Sequence, residues 1–239
     1  MYTIGLIGGM SPESTIEYYR IINKLVNERL GGLHSAKIVM DSVDLEEIVI
    51  LQRRGEWRGI EIRMSNSAQK LQELGADCIL ICTNTVHRVA DAVQERIKTP
   101  LIHITDATAE KIKQRGFKTV GLLGTKITME QDFYKKRLLD RHGIEVIIPS
   151  EEEMRYIDRV IFDELCVGEL NWHSRTTINR IIGWLADKGA EGVILGCTEL
   201  PLLIDQRRLN EQLGNKRIIP LFNTTEIHAE SAVDFALKN

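Results

Sequence analysis

Apolar residues along this chain fall into two alternating kinds of run. Short β-rich stretches at residues 2–7, 37–43, 78–82 and 101–104 read as buried strands. Between them lie longer segments whose apolar positions recur three and four apart, the spacing of one helix face. The first of these predicts a helix capped by Ser11, with Pro12 at its first position and Ile16, Tyr19, Ile22 and Val26 as its apolar stripe. Gly31-Gly32 would end it in a left-handed turn. Further helices are predicted at about 58–74, closed by Gly75, and at 173–188, closed by Gly189. Strand and helix in alternation predict an α/β fold, with parallel sheet covered on both faces.

The pattern also repeats. Thr3-Ile-Gly-Leu-Ile-Gly8 matches Thr119-Val-Gly-Leu-Leu-Gly124, and the same offset of 116 carries Tyr18 onto Tyr134. The segment 75–83 matches 189–197 without a gap, and Pro100-Leu-Ile-His-Ile-Thr-Asp106 matches Pro220-Leu-Phe-Asn-Thr-Thr-Glu226. Three ordered matches at nearly one offset predict two duplicated, pseudo-symmetric lobes, each a mostly four-stranded parallel sheet flanked by helices. Ligands bind at the carboxyl ends of strands in such sheets, so the expected site is a cleft between the lobes. It would be lined by the turns at Gly8-Gly9-Met10-Ser11, Thr83-Asn84-Thr85, Gly124-Thr125-Lys126 and Cys197-Thr198-Glu199. The repeat pairs Thr83 with Cys197.

Composition narrows the class. At 239 residues the chain is about one and a half times a typical domain, a length that two small lobes explain. Lys+Arg 31 against Asp+Glu 34 leaves a net charge of -3, without the basic footprint of a nucleic-acid or anionic-membrane partner. No apolar run reaches the roughly 18 residues of a membrane span, and the start lacks the basic region of a secretory signal, so a cytoplasmic protein is expected. The four cysteines are too scattered for a disulfide framework or a Cys-x-x-Cys zinc site. Cys78, Cys82 and Cys166 lie in apolar runs and read as packing. Cys197 instead follows a strand through Gly196 and opens a turn whose free N–H groups and helix dipole would lower a thiol pKa.

Other candidates have plainer readings. The glycine turn at residues 5–9 lacks the Gly-x-Gly-x-x-Gly spacing of a dinucleotide fold. Asp106 and Glu226 read as caps of the helices that follow them, His87 as structural or as support for the site, and Met10 as core or cleft wall.

Gly8-Gly9-Met10-Ser11-Pro12, Thr83-Asn84-Thr85 and Gly196-Cys197-Thr198-Glu199 together resemble the aspartate/glutamate racemases of the Asp/Glu/hydantoin racemase superfamily. Leu33-His-Ser-Ala36 and Gln52-Arg-Arg-Gly-Glu-Trp57 are similar to runs in bacterial amino-acid racemases of that group. The resemblance implies a homodimer that inverts an amino acid without pyridoxal phosphate or metal. One acid/base group on each face of the α-carbon would do this, with donors around the substrate carboxylate. By resemblance those donors are Asn84, Thr85 and Thr198, beside a wall at Met10. Thr125 and Glu199 complete the expected substrate-binding set. The resemblance also implies that the last helix, 222–239, returns to the first lobe, 1–104, leaving 105–221 as the second.

The sequence departs from the family where a first cysteine is usual, because Thr83 stands there. A threonine hydroxyl stays protonated at neutral pH whereas a thiol can ionise, so the two faces would be unequal. The resemblance then implies Cys197 as base and Thr83 as proton donor, kinetically favouring conversion from L to D. Aspartate or glutamate is the expected substrate, with Gln52 as a polar contact and Arg53 as a contact for a side-chain carboxylate. The second-half lysine of acidic-substrate members is missing from the segment 164–168. A broad-specificity racemase, a single-cysteine enzyme resembling the arylmalonate decarboxylases, and a non-catalytic amino-acid-binding protein are the alternatives.

Overall fold

The computed structural model describes residues 1–213 and 218–238. In chain order its elements are β1 (Ile4–Gly8), α1 (Pro12–Leu30), β2 (Ile38–Ser42), α2 (Leu45–Arg53), α3 (Trp57–Glu73), β3 (Cys78–Ile81), α4 (Ala90–Gln94), α5 (Ile104–Gln114), β4 (Thr119–Gly124), α6 (Lys126–Glu130), α7 (Asp132–His142) and β5 (Glu145–Ile147). They continue with α8 (Glu151–Arg159), α9 (Trp172–Asp187), β6 (Gly192–Gly196), α10 (Leu200–Leu203), α11 (Gln206–Gln212), β7 (Leu221–Asn223) and α12 (Thr224–Ala236). The expected end of the last helix, Asn239, lies outside the described residues. No helix among those described is long and apolar enough to cross a membrane.

Two compact units divide the chain, one of Met1–Ala107 with Thr225–Asn239 and the other of Thr108–Thr224. The first holds a parallel sheet in the order β2-β1-β3, the second a parallel sheet in the order β5-β4-β6-β7. This is the duplicated α/β architecture that the repeat predicts: β1 and β4 are central in their sheets, and β3 and β6 are their neighbours.

In the first unit, alternation along the strands separates two cores. Ile7, Ile79 and Ile81 pack with Ile60, Met64 and Leu71 of α3, while Ile4, Leu6, Cys78, Leu80 and Cys82 pack with Tyr18, Ile22 and Val26 of α1 and with Ala229, Ala232 and Val233 of α12. Ser11 caps α1 with Pro12 at its first position, as expected, and Gly31 follows it with a positive φ of 74°. The buried stripe, however, is Tyr18, Ile22 and Val26, whereas Ile16 and Tyr19 are exposed. Both sets have helical spacing, and contact with the sheet and the small-residue face of α12 selects the one centred on Tyr18. Its repeat equivalent, Tyr134 on α7, is likewise fully buried.

The strand expected at 101–104 shrinks to one bridge between Leu101 and Ile79. Ile79 N–H donates to Pro100 O and Ile102 N–H donates to Ile79 O before α5 begins at Ile104. The matching segment after Pro220 does form a strand, β7. Asp106 and Glu226 sit inside the first turns of α5 and α12, where a negative charge suits the helix dipole.

Candidate active site

Each unit brings two of the expected turns together at the carboxyl edge of its sheet. In the first, β1 leads into Gly9-Met10-Ser11 and its neighbour β3 into Thr83-Asn84-Thr85. Gly9 is required on two counts. Its φ is +89°, and a Cβ there would lie 2.1 Å from Val43 O. Its N–H donates to Thr15 Oγ1 at 2.9 Å, and that hydroxyl in turn donates to Ser11 O, so α1 and the turn hold each other. Met10 packs in the core with Ile7 and Ile48.

Cys82, the residue after β3, is fully buried, and desolvation pushes its thiol far above the ordinary range. Thr83, one residue on, is half-buried, and no hydrogen bond among the described residues uses its hydroxyl. The peptide around Thr83 is pinned at both ends. Its N–H donates to Ile81 O at 2.8 Å, and its carbonyl faces His87 Nδ1 at 2.7 Å. Asn84 and Thr85 are buried. Gln52 is half-buried near the end of α2, and Arg53, its last residue, is exposed.

In the second unit β4 ends beside β6, with Gly124 opposite Gly196. A Cβ on Gly124 would lie 2.7 Å from Gly196 O, so the two turns approach through backbone. Thr125 caps α6 by accepting from Thr128 N–H, and its hydroxyl is 3.0 Å from that of Thr128. After β6, Cys197 is buried and its thiol donates to Glu199 Oε2 at 2.8 Å. The same oxygen accepts from Thr198 Oγ1 at 3.0 Å. These three neighbours therefore form one polar group.

The charge state of that thiol runs opposite to the sequence expectation. Burial raises the Cys197 pKa well above its ordinary value, and the negative charge of Glu199 raises it further; the Glu199 backbone N–H works the other way and loses. The helix that follows, α10, is a single short turn. Cys166, whose neighbouring turn packs on α10, is pushed up to about 12, first by burial and then by Glu199. Cys78 is also pushed up to about 12, by burial and then by Asp77. The resting thiols are neutral.

Two residues on which the site leans were not singled out from sequence. His103 and His228 stack edgewise on His87 behind Thr83, at ring distances of 4.6 and 5.6 Å. His103 falls in a repeat match, opposite Asn223, but nothing in the pattern ties His228 to residues more than a hundred positions earlier.

Comparison with known proteins agrees with this architecture. Residues 7–232 match the family model Asp/Glu/Hydantoin racemase. A Yersinia pestis protein assigned to the Asp/Glu racemases has a crystal structure that superposes with a TM-score of 0.89 at 48% identity, over the whole of both chains. An aspartate racemase homologue from Pyrococcus horikoshii superposes at 0.83 with 37% identity, again over both whole chains. The broad specificity amino-acid racemase RacX of Bacillus subtilis is 27% identical over 60% of this chain, and the match spans 63% of that protein's length. With the match running through both units and both candidate turns, the chain belongs to the Asp/Glu/hydantoin racemase family.

Proposed function

We propose that this protein is an amino-acid racemase that works without pyridoxal phosphate or metal, with Cys197 and Thr83 as its two proton-transfer groups. The observation that carries the reading is the Cys197–Glu199 contact of 2.8 Å at the end of β6, the position that the repeat pairs with Thr83 at the end of β3. A buried thiol is a poor base until its proton leaves, and Glu199 Oε2 is the acceptor already in hydrogen-bond contact. Proton transfer to that oxygen leaves a thiolate, which removes the α-proton of the L-amino acid. The carbanion is then protonated on its other face by the Thr83 hydroxyl, directly or through water; the hydroxyl recovers its proton from solvent, and Glu199 releases to solvent the proton it took from Cys197, which resets the site. Asn84, Thr85 and Thr198 supply the donors that stabilise the intermediate's carboxylate. The two groups differ in acidity, so the forward and reverse directions differ in rate while the equilibrium between enantiomers is unchanged.

L-aspartate and L-glutamate are the first substrates to test, with Arg53 and Gln52 toward the side chain. A broader range is the second reading. It is favoured by Glu164, which is an acid hydrogen-bonded from Ser174 Oγ at 2.8 Å in the segment where acidic-substrate relatives were expected to carry a cation. The deciding experiment incubates the enzyme with a panel of L- and D-amino acids in heavy water and follows α-proton loss by NMR and product by chiral chromatography. Exchange and inversion of an L-acidic amino acid are expected, with Cys197→Ala abolishing both while the ligand still binds. Binding without exchange in the wild type would identify a binding protein. Carbon dioxide release from a malonate, without amino-acid exchange, would identify a decarboxylase.

A further inference from the structure

Behind Thr83 the first unit buries three histidines that the proposed reaction does not use. His87, in the short 3-10 turn Thr85–Val89, is 3% exposed. Its Nδ1 lies 2.7 Å from Thr83 O and its Nε2 lies 3.2 Å from the backbone nitrogen of Ile104. A carbonyl can only accept and a backbone N–H can only donate, which fixes one tautomer: Nδ1–H donates to Thr83, and Nε2 accepts from Ile104. His228 is fixed by the same logic, its Nε2–H donating to Ile102 O at 2.7 Å while Nδ1 accepts from Tyr18 Oη at 2.9 Å. Burial depresses the His228 pKa to about 4, so this ring stays neutral under ordinary conditions. His103 stacks on His87 and accepts from Thr105 N–H at 3.2 Å.

The arrangement reaches toward the site through His87. A chain of neutral, packed rings backed by α1 and α12 ends in a donor aimed at the carbonyl of Thr83. The Thr83 backbone is thereby held through its N–H by Ile81 and through its C=O by His87. A hydroxyl that must return a proton to one face of a carbanion gains from a fixed origin, because small misplacement of a reacting group costs rate steeply.

We infer that His87 is a positioning residue for Thr83: its Nδ1–H holds the Thr83 carbonyl, and so sets the hydroxyl for proton delivery on the inverted face. The inference rests on the racemase reading and adds a division of labour to it. Removal of the α-proton at Cys197 does not require His87, whereas inversion through Thr83 does.

The two steps can be read separately in heavy water. Deuterium entering L-substrate that keeps its configuration reports abstraction and return at Cys197, and D-product reports delivery by Thr83. His87→Leu is expected to lower D-product formation about tenfold, the order of one lost hydrogen bond in the transition state, while deuterium uptake into L-substrate changes little. His87→Asn, whose amide N–H can reach the Thr83 carbonyl, should restore most of the ratio. His87→Gln carries its amide toward the Nε2 end and should behave like the leucine variant, giving a second reading if that variant fails to fold. A parallel fall in both rates, an unchanged ratio, or no rescue by asparagine would overturn the inference. Wild-type protein that exchanges no amino acid at all would instead overturn the racemase reading. A Thr83→Ala variant that loses D-product while His87→Leu keeps it would sink the role of His87 alone.

Discussion

At the scale of single residues the site turns on how Glu199 meets Cys197. Sequence order puts the two only two positions apart, and it marks the cysteine because the cysteine follows a strand and a glycine. It does not show that the carboxylate folds back onto the sulfur, or that the turn is buried, and these two facts reverse the expected direction of the thiol's pKa. The sign leads to a prediction. Glu199→Gln removes a negative charge that disfavours the thiolate, so alkylation of Cys197 by iodoacetamide, followed by mass spectrometry across pH, should set in at lower pH than in the wild type. Turnover should nevertheless fall, by about tenfold or more, because the proton acceptor is gone. Alkylation shifted to higher pH would contradict the assigned electrostatics. Thr83 presents the complementary case: its type is legible in sequence, while the histidine that holds its carbonyl becomes evident only in the fold.

Among elements, the turns are better determined than the faces of helices. Ser11, Pro12 and Gly31 mark the ends of α1 through local backbone demands that any fold would impose. Which stripe of α1 is buried depends on what packs against it, and two registers with helical spacing compete until the sheet and α12 are in place. Gly9 shows the local kind of constraint at its strongest. Gly9→Ala forces a Cβ onto Val43 O and also keeps a positive φ, and it should cost about 2–4 kcal/mol in urea unfolding. Gly55→Ala shares a positive φ of 70° but meets nothing within 4 Å, and should cost only about 1 kcal/mol. Equal losses would mean that the contact with the β2 end is not what fixes the turn. The shortened strand after Pro100 has the opposite origin, because its β-rich sequence suits a strand but α5 begins at Ile104.

For the molecule as a whole, one buried histidine links stability to acid. His228 has its pKa lowered to about 4 by burial, while an unfolded chain returns it to about 6.5. Above that range both states are neutral and the stability is fully present. As pH falls through the range, the unfolded chain takes up the proton first, and up to about 3 kcal/mol is lost by the time the folded pKa is passed. Urea midpoints measured from pH 7 to 4 should therefore fall in the wild type, and a His228→Asn variant should start lower but show a flatter profile. Parallel profiles would exclude His228 as the group responsible. The duplication was legible in the chain because strands and their following turns are contiguous segments, and repeated segments leave repeated residues. The alternation of strand and helix, the chemistry class of the turns and the Thr83–Cys197 equivalence all follow from such contiguous pattern. What only the tertiary structure decided are the contacts made by residues far apart in the chain or folded back against it: which stripe of α1 the sheet and α12 cover, three histidines behind Thr83, and the buried carboxylate against the thiol. Burial and hydrogen bonding set those energies, and both depend on neighbours that no local stretch of sequence contains.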